Sequence, residues 1–274
     1  MKSNNLNIIE KGNLKYITFP KIEACGITRH TFSTRLGGVS KGDQKWMNLS
    51  FNRPGEIREN VLKNYEILCG AVGIDTSHLV LSHQTHTNNV LTVTEKDRGT
   101  GITKPSFSDI DGLVTNCKGV ALVTQYADCT PLLFCDPINK VIASSHAGWK
   151  GTAKLIAKVT VEKMVNEFGC NPSNIIVGIG PNICKDCYEV DTPVYNEFSK
   201  IDFLNSEDVI SDKGGGKYQL DLREANRKIL INSGILPQNI DITDICTCCN
   251  CDEMHSHRAT GGKRGNLAAI IELK

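Results

Sequence analysis

Three short stretches carry residue types that bind metals or move protons: "SHQTHTNN" (82–89), "YADCTPLLFCDP" (126–137) and "SSHAGWKGT" (144–152). They offer His83 and His86, then Asp128 and Cys129, then His146. A His/Cys/His set with an open fourth position suits catalytic zinc, where a bound water becomes a nucleophile near neutral pH. The gaps between the stretches are long, so no local zinc signature exists. Each residue, taken singly, also reads as a buried core residue. His83 and His86 are an odd number of positions apart and face opposite sides of a regular strand, so one of them points at a common site. Spacing alone leaves open which.

His146 ends an apolar run, and the carboxyl ends of strands are where α/β sheets place their sites. The turn Gly148-Trp149-Lys150-Gly151 follows, with Thr152 expected to cap the next helix. Free N–H groups there, close approach at Gly151 and the charge of Lys150 would suit an anion such as phosphate. The competing reading is a tight turn with a packed Trp. Arg35 in "STRLGGVS", and Arg258, Lys263 and Arg264 in "HSHRATGGKRGN", are further cations beside Gly-rich turns, suited to phosphate or carboxylate. Exposed surface charge is the plainer account of any one of them.

The chain has 12 cysteines. Its start, "MKSNNLNIIEKGNLKYITF", has no long apolar run, so the expectation is a cytoplasmic protein with reduced thiols rather than a disulfide framework. In "CTCCNCDEMHSH", Cys246, Cys248, Cys249, Cys251, His255 and His257 crowd into one segment, whereas structural zinc sites usually use two separated knuckles. Cys184 and Cys187 have Cys-x-x-Cys spacing without a thioredoxin-like context. The tail cysteines are therefore expected to be a partial ligand set, a redox pair or reduced surface thiols, and Cys184 and Cys187 structural thiols; no dedicated second metal site is expected.

The elements that must position these residues follow from periodicity. "LNIIEKGNLKYITF" reads as a strand pair around the "KGN" turn, and "GITRHTFSTRLGGVSKGD" as a strand entering a Gly-rich loop. "EIRENVLKNYEILCGAVGI" has helical spacing and should stop near Gly70 or Gly73. "HLVLSHQTHTNNVLTVT", "DGLVTN", "VALVTQYADCTPLLFCD", "KVIASSHAG", "SNIIVGIGP" and "LAAIIEL" read as strands. "TAKLIAKVTVEKMVNEFG" predicts one helix, with Leu155, Ile156, Val159, Met164 and Val165 sharing its buried face and Gly169 ending it. "TPVYNEFSK" reads as a short helix, and "KYQLDLREANRKILINSGI" as a strand leading into a helix. Strands outnumber helices in mixed order, which favours an α/β or α+β mixed-sheet fold. Lys and Arg total 31 against 30 Asp and Glu, so charge gives no reason to expect nucleic acid or an anionic membrane as partner. The sequence is silent on oligomeric state.

Together "STRLGGVS", "MNLSF", "SHQTHTNNV", "DGLVTN", "ADCTPLLFCDP", "HAGWKGT", "GIGPNICKDCYEV", "LDL" and "CT…HSHRATGG" resemble one family over nearly the whole chain. It is the YfiH-like family, also called the laccase-domain or multicopper polyphenol oxidase family and recognised as purine nucleoside phosphorylases. The resemblance implies one α/β (α+β) domain over residues 1–274, with mixed sheets in stacked layers flanked by helices. It implies a single Zn2+, rather than copper, held by His86, Cys129 and His146, and so selects His86 over His83. His83 then becomes a supporting or packing residue.

The implied activities are phosphorolysis of adenosine, inosine and methylthioadenosine, with adenosine deamination alongside. The implied partners are a purine nucleoside and phosphate. Cys129, His146 and Asp128 are the expected catalytic residues, with Asp128 as acid/base. Arg35, Lys150, Gly151 and Arg258 are the expected substrate or phosphate contacts. Copper-dependent phenol oxidation is a competing reading, set against only seven histidines. A peptidoglycan-editing or nucleotide-ligand-binding role is another. Two departures stand out: the "CCNC" cysteines lie outside the family pattern, and Gly265-Asn266 stands where the family has Gly-Arg, with Arg264 adjacent.

Overall fold

Apolar residues at nearly every position of the central strands mean that both faces of those strands must be covered, and this decides the layering. The computed structural model describes residues 1–274. A seven-stranded sheet runs Asn7–Lys11, Leu14–Thr18, Thr28–Ser33, Leu267–Leu273, Ala121–Tyr126, Leu79–His83, Phe107–Ser108 in spatial order. A six-stranded sheet runs Ile240–Ile242, Ile176–Ile179, Thr130–Asp136, Val141–Ala147, Gly112–Thr115, Val90–Thr92. A third, of three strands, contains Glu189–Asp191, Lys217–Leu220 and Ile210–Gly214. Parallel and antiparallel pairs coexist in both large sheets, as the mixed order of elements implied.

Successive strand residues point to opposite faces, and the core divides accordingly. Leu133, Cys135 and Ile142 pack with Ile17, Phe32, Leu122, Ala269 and Ile271 between the two large sheets. Their neighbours Leu132, Phe134, Val141 and Ala143 pack outward against the helices Ile156–Phe168 and Leu222–Asn232. On the far side, Ala121, Val123, Ala268 and Ile270 are covered by Val61, Tyr65 and Leu68 of the helix Arg58–Val72. The molecule is thus a helix–sheet–sheet–helix stack, the mixed α/β architecture expected. The N-terminal hairpin and the helix stop at Gly73 also fall where sequence placed them; Gly73 has φ 76°, a left-handed cap suited to glycine.

One expected helix is broken. Residues 149–168 form Trp149–Ala153 and Ile156–Phe168, separated by Leu155 at φ 59°. The break frees the second helix to turn Ile156, Ala157, Thr160, Val161 and Met164 inward, while Leu155, Val159 and Val165 are only partly buried. The expected face was therefore rotated. The strand-like run 78–94 also divides, into Leu79–His83 and Val90–Thr92 on different sheets.

His30 gives the fold an acid-sensitive point. It is buried, and Phe19 N donates to its Nε2 at 2.9 Å. Burial pushes its pKa from 6.5 to about 4. The unfolded chain takes up this proton near 6.5 and the folded chain does not until about 4, so stability is full above 6.5 and falls on acidification. The slope from this residue is up to about 1.4 kcal/mol per pH unit. Urea unfolding across pH 4 to 6.5 should show this slope in the wild type and a shallower one in His30→Gln.

Candidate metal centre and cleft

Two places where the chain crosses between the large sheets bring the chemistry together. Residues 127–129 connect Ala121–Tyr126 in one sheet to Thr130–Asp136 in the other. Residues 84–89 likewise connect Leu79–His83 to Val90–Thr92. The crossings are tight: His86 has φ 66° and Asp128 φ 85°, left-handed values rare outside glycine. Such positions cost about 1–3 kcal/mol each and gather at functional sites. His146 approaches from the end of Val141–Ala147.

His86, Cys129 and His146 converge, with their candidate ligand atoms all within 4.8 Å of one another. Cys129 Sγ lies 3.8 Å from His86 Nε2, and the two imidazole rings meet edge to face at 4.9 Å between centroids. His83, by contrast, ends its strand exposed and lines the cleft, outside the His86/Cys129/His146 group. Burial alone would raise the Cys129 thiol, but the adjacent His146 and His86 rings outweigh it and lower it to about 6. A thiolate is the form that ligates a metal. For His146, burial is outweighed by Cys129 and Asp111, and its pKa rises.

Asp111, like Arg53 of the cleft lining, was not singled out in the sequence. Fully buried, it accepts from His146 Nδ1 at 2.8 Å and from His86 N, Thr85 N, Thr87 N and Thr87 Oγ1. The Nδ1 contact leaves Nε2 as the ligating nitrogen of His146, a carboxylate–histidine arrangement common beside metals. Against burial, His146 and the Thr87 donors hold its carboxyl at about 2. Its only sequence signal was an acidic residue at the mouth of the strand "DGLVTN". The donor set is one thiolate and two imidazoles, one of them oriented by a carboxylate. That chemistry fits a zinc-type ion.

The turn after His146 needs correction. Gly148, not Thr152, caps the helix, which is only five residues long. A Cβ on Gly148 would lie 2.7 Å from His86 Cδ2 and 3.0 Å from Cys129 Sγ. One on Gly151 would lie 3.0 Å from Thr87 O. The glycines therefore make room for the histidine, the cysteine and the crossing loop rather than for an anion. Lys150 is exposed, with its ammonium 5.6 Å from the Trp149 ring centroid and outside the cleft lining. Gly148→Ala should lower metal affinity and any metal-dependent activity at least about tenfold, as loss of ligand support does, checked by chelator competition.

The cleft has a volume of about 890 Å3, and His86, Asp128, Cys129 and His146 line it. Its lining carries Arg53, Arg58, Lys104, Arg258 and Arg264 against a single carboxylate, Asp128, so it favours anions. Arg264 is mostly buried with an unpartnered Nε, and burial followed by the Arg53 charge lowers its pKa to about 10. Arg258 reaches the cleft while its guanidinium donates to Cys187 O and Glu189 O. Arg35 does not reach it. Its guanidinium is spent on Lys45 O and Cys251 O and lies 5.6 Å from the Trp46 ring centroid. Asp128 accepts from Thr247 Oγ1 at 2.6 Å and Arg258 N at 2.7 Å. His257 also lines the cleft, whereas His255 is buried and accepts from Gly265 N at 3.2 Å.

The family described as "Multi-copper polyphenol oxidoreductase laccase" matches residues 29–274. The chain is 35% identical over 245 residues to the purine nucleoside phosphorylase YlmD of Bacillus subtilis, covering 89% of this chain and 87% of that protein. It is 35% identical over 246 residues to adenosine deaminase RL5 from an unknown prokaryotic organism, covering 89% and 93%. The crystal structure of YlmD from Geobacillus stearothermophilus superposes with a TM-score of 0.90 at 30% identity, covering 97% of this chain and 98% of that one. YfiH of Bacillus licheniformis does so with a TM-score of 0.92 at 28% identity, covering 99% and 100%.

Proposed function

This chain belongs to the multi-copper polyphenol oxidoreductase laccase family, and from that premise we propose that it is a zinc-dependent purine nucleoside phosphorylase with adenosine deaminase activity. The observation that carries the reading is one cleft holding both the His86/Cys129/His146 set and a cationic lining. A relative named for phosphorolysis and one named for deamination are each 35% identical to this chain. Purine nucleoside and phosphate are the proposed substrates, the whole of 1–274 the proposed functional domain, and the cytoplasm its proposed location. No helix is long and apolar enough to cross a membrane.

His86, Cys129 and His146 would hold the metal. Zinc, when bound, supplies Lewis acidity that makes water nucleophilic near neutral pH. The chain's own residues do the rest. Arg264 and Arg258, with Arg53 beside them, bind and orient phosphate so that one oxygen faces the ribose anomeric carbon. That oxygen forms the new bond as the bond to the purine nitrogen breaks. Asp128, the only carboxylate in the lining, moves the proton at the purine. Asp111 fixes the imidazole of His146. This phosphate seat replaces the Arg35, Lys150 and Gly151 seat expected from the sequence.

Zinc is favoured over several coppers because, of the five histidines besides His86 and His146, three are otherwise engaged. His30 accepts from Phe19 N, His255 accepts from Gly265 N, and His78 Nδ1 lies 2.5 Å from Glu272 Oε1. Incubating the zinc-loaded protein with adenosine and phosphate, with arsenate as alternative nucleophile, should release adenine and inosine. Neither product from protein with a verified zinc content would overturn the reading.

A further inference from the structure

The cysteines that sequence treated as two unrelated groups meet in space. Cys184 and Cys187, after the strand Ile176–Ile179, lie beside Cys246 and Cys249, with all four sulfurs within 4.8 Å of one another. Each pair is a Cys-x-x-Cys knuckle, so the second knuckle missing from the tail is supplied by residues some sixty positions upstream, like the separated knuckles of structural zinc sites. A bridge between Asn182 and Cys246, with Thr247 N donating to Asn182 O, holds the two loops side by side.

Three observations point to a metal rather than to packing or disulfides. First, Cys187 Sγ and Cys249 Sγ are 3.4 Å apart, and Cys184 Sγ and Cys249 Sγ 4.0 Å. A tetrahedron with zinc–sulfur bonds of about 2.3 Å has edges of about 3.8 Å, whereas a disulfide needs about 2.05 Å. All four cysteines are free. Second, Cys184 N and Cys249 N both aim at Cys246 Sγ, at 3.2 and 3.4 Å. Backbone donors converging on sulfur stabilise a ligating thiolate, as supporting hydrogen bonds do in metal sites. Third, none of the four belongs to a hydrophobic cluster, whereas Cys69, Cys135 and Cys170 do. Thiols are weak hydrogen-bonding groups, so gathering four of them outside the three hydrophobic clusters gains little without an ion.

We propose that Cys184, Cys187, Cys246 and Cys249 bind a second, structural zinc ion that clamps together two loops of the cleft wall. Four thiolates with no open position make a closed site, unlike the three-ligand centre in the cleft. The clamp bears on the cleft through Arg258, which donates to Cys187 O at 3.1 Å and lies 5.4 Å from the Tyr188 ring centroid. Ile183, Tyr188 and Arg258 all line the cleft. The ion thereby fixes the wall that carries a proposed phosphate contact, without touching substrate.

The test uses the full chain, purified under reducing conditions without chelator, with metal content measured by elemental mass spectrometry. Wild type should carry two zinc ions per chain, and Cys184→Ser/Cys187→Ser should carry one. Cys129→Ser should also carry one, retained in the quartet. The two sites fail separately: a Cys129→Ser protein with unchanged zinc content speaks against the cleft centre and leaves the quartet standing. Should the double variant not fold, X-ray absorption at the zinc edge of wild type reads the same claim as a sulfur-rich average ligand shell. The proposal is overturned if the double variant keeps the wild-type zinc content. It is also overturned if the wild-type average shell is not sulfur-rich, or if peptide mapping finds a disulfide among the four.

Discussion

Cys129→Ser should lower both nucleoside phosphorolysis and adenosine deamination at least about 10³-fold, with little change in melting temperature. The thiolate is the charged donor of the cleft set, lowered to about 6 by His146 and His86. A serine hydroxyl in its place stays protonated near neutral pH and leaves two imidazoles with weak hold on a cation. Metal Lewis acidity is worth several kcal/mol of barrier, and each 1.36 kcal/mol is tenfold, so a loss of this size follows for any metal-dependent step. Cys129 is only partly buried and serine is nearly isosteric, so the fold should survive. Steady-state kinetics on both substrates, with circular dichroism as the control, decides it. Activity above a tenth of wild type would remove Cys129 from the machinery, and loss of one activity alone would separate the two reactions.

Asp111→Asn should weaken both the fold and the metal centre. The carboxylate collects three backbone N–H groups, the Thr87 hydroxyl and the His146 ring in a site closed to water. An amide turns one of its two ends into a donor facing other donors. Removing one partner of a buried ion pair costs about 3–5 kcal/mol, which urea unfolding would read. Loss of support behind a ligating histidine costs about 10–100-fold in metal affinity. The second effect separates positioning from mere stability: activity should recover as zinc is raised, with the half-saturating concentration shifted upward. A variant that is destabilised but shows unchanged zinc dependence would leave Asp111 a structural residue only.

Much of the layering was legible because an unbroken apolar run is a local property. Leu132 to Cys135 and Val141 to Ala143 read as strands, and the structure covers them on both faces. Helix 58–72 showed its apolar stripe and its glycine stop. The break at Leu155 was not legible, since its immediate neighbours Ala153, Lys154 and Ala157 are good helix formers. It reflects the need to aim one short helix at the cleft edge and the next across the sheet.

For the site, the residue types alone proposed a His/Cys/His metal centre, and the family resemblance chose His86. The strand-parity argument could not have chosen, because the strand ends at His83 and His86 sits on a crossing loop in a left-handed conformation. Sequence determined which elements form and which chemical groups are available, since burial period and side-chain chemistry are carried by neighbouring residues. Only the tertiary structure decided who meets whom. Asp111 reaches His146 across adjacent antiparallel strands, Arg264 rather than Lys150 faces the cleft, and Cys184 and Cys187 find Cys246 and Cys249 across two loops. Those meetings depend on sheet order and on where the chain changes sheets, and spacing along the sequence encodes neither.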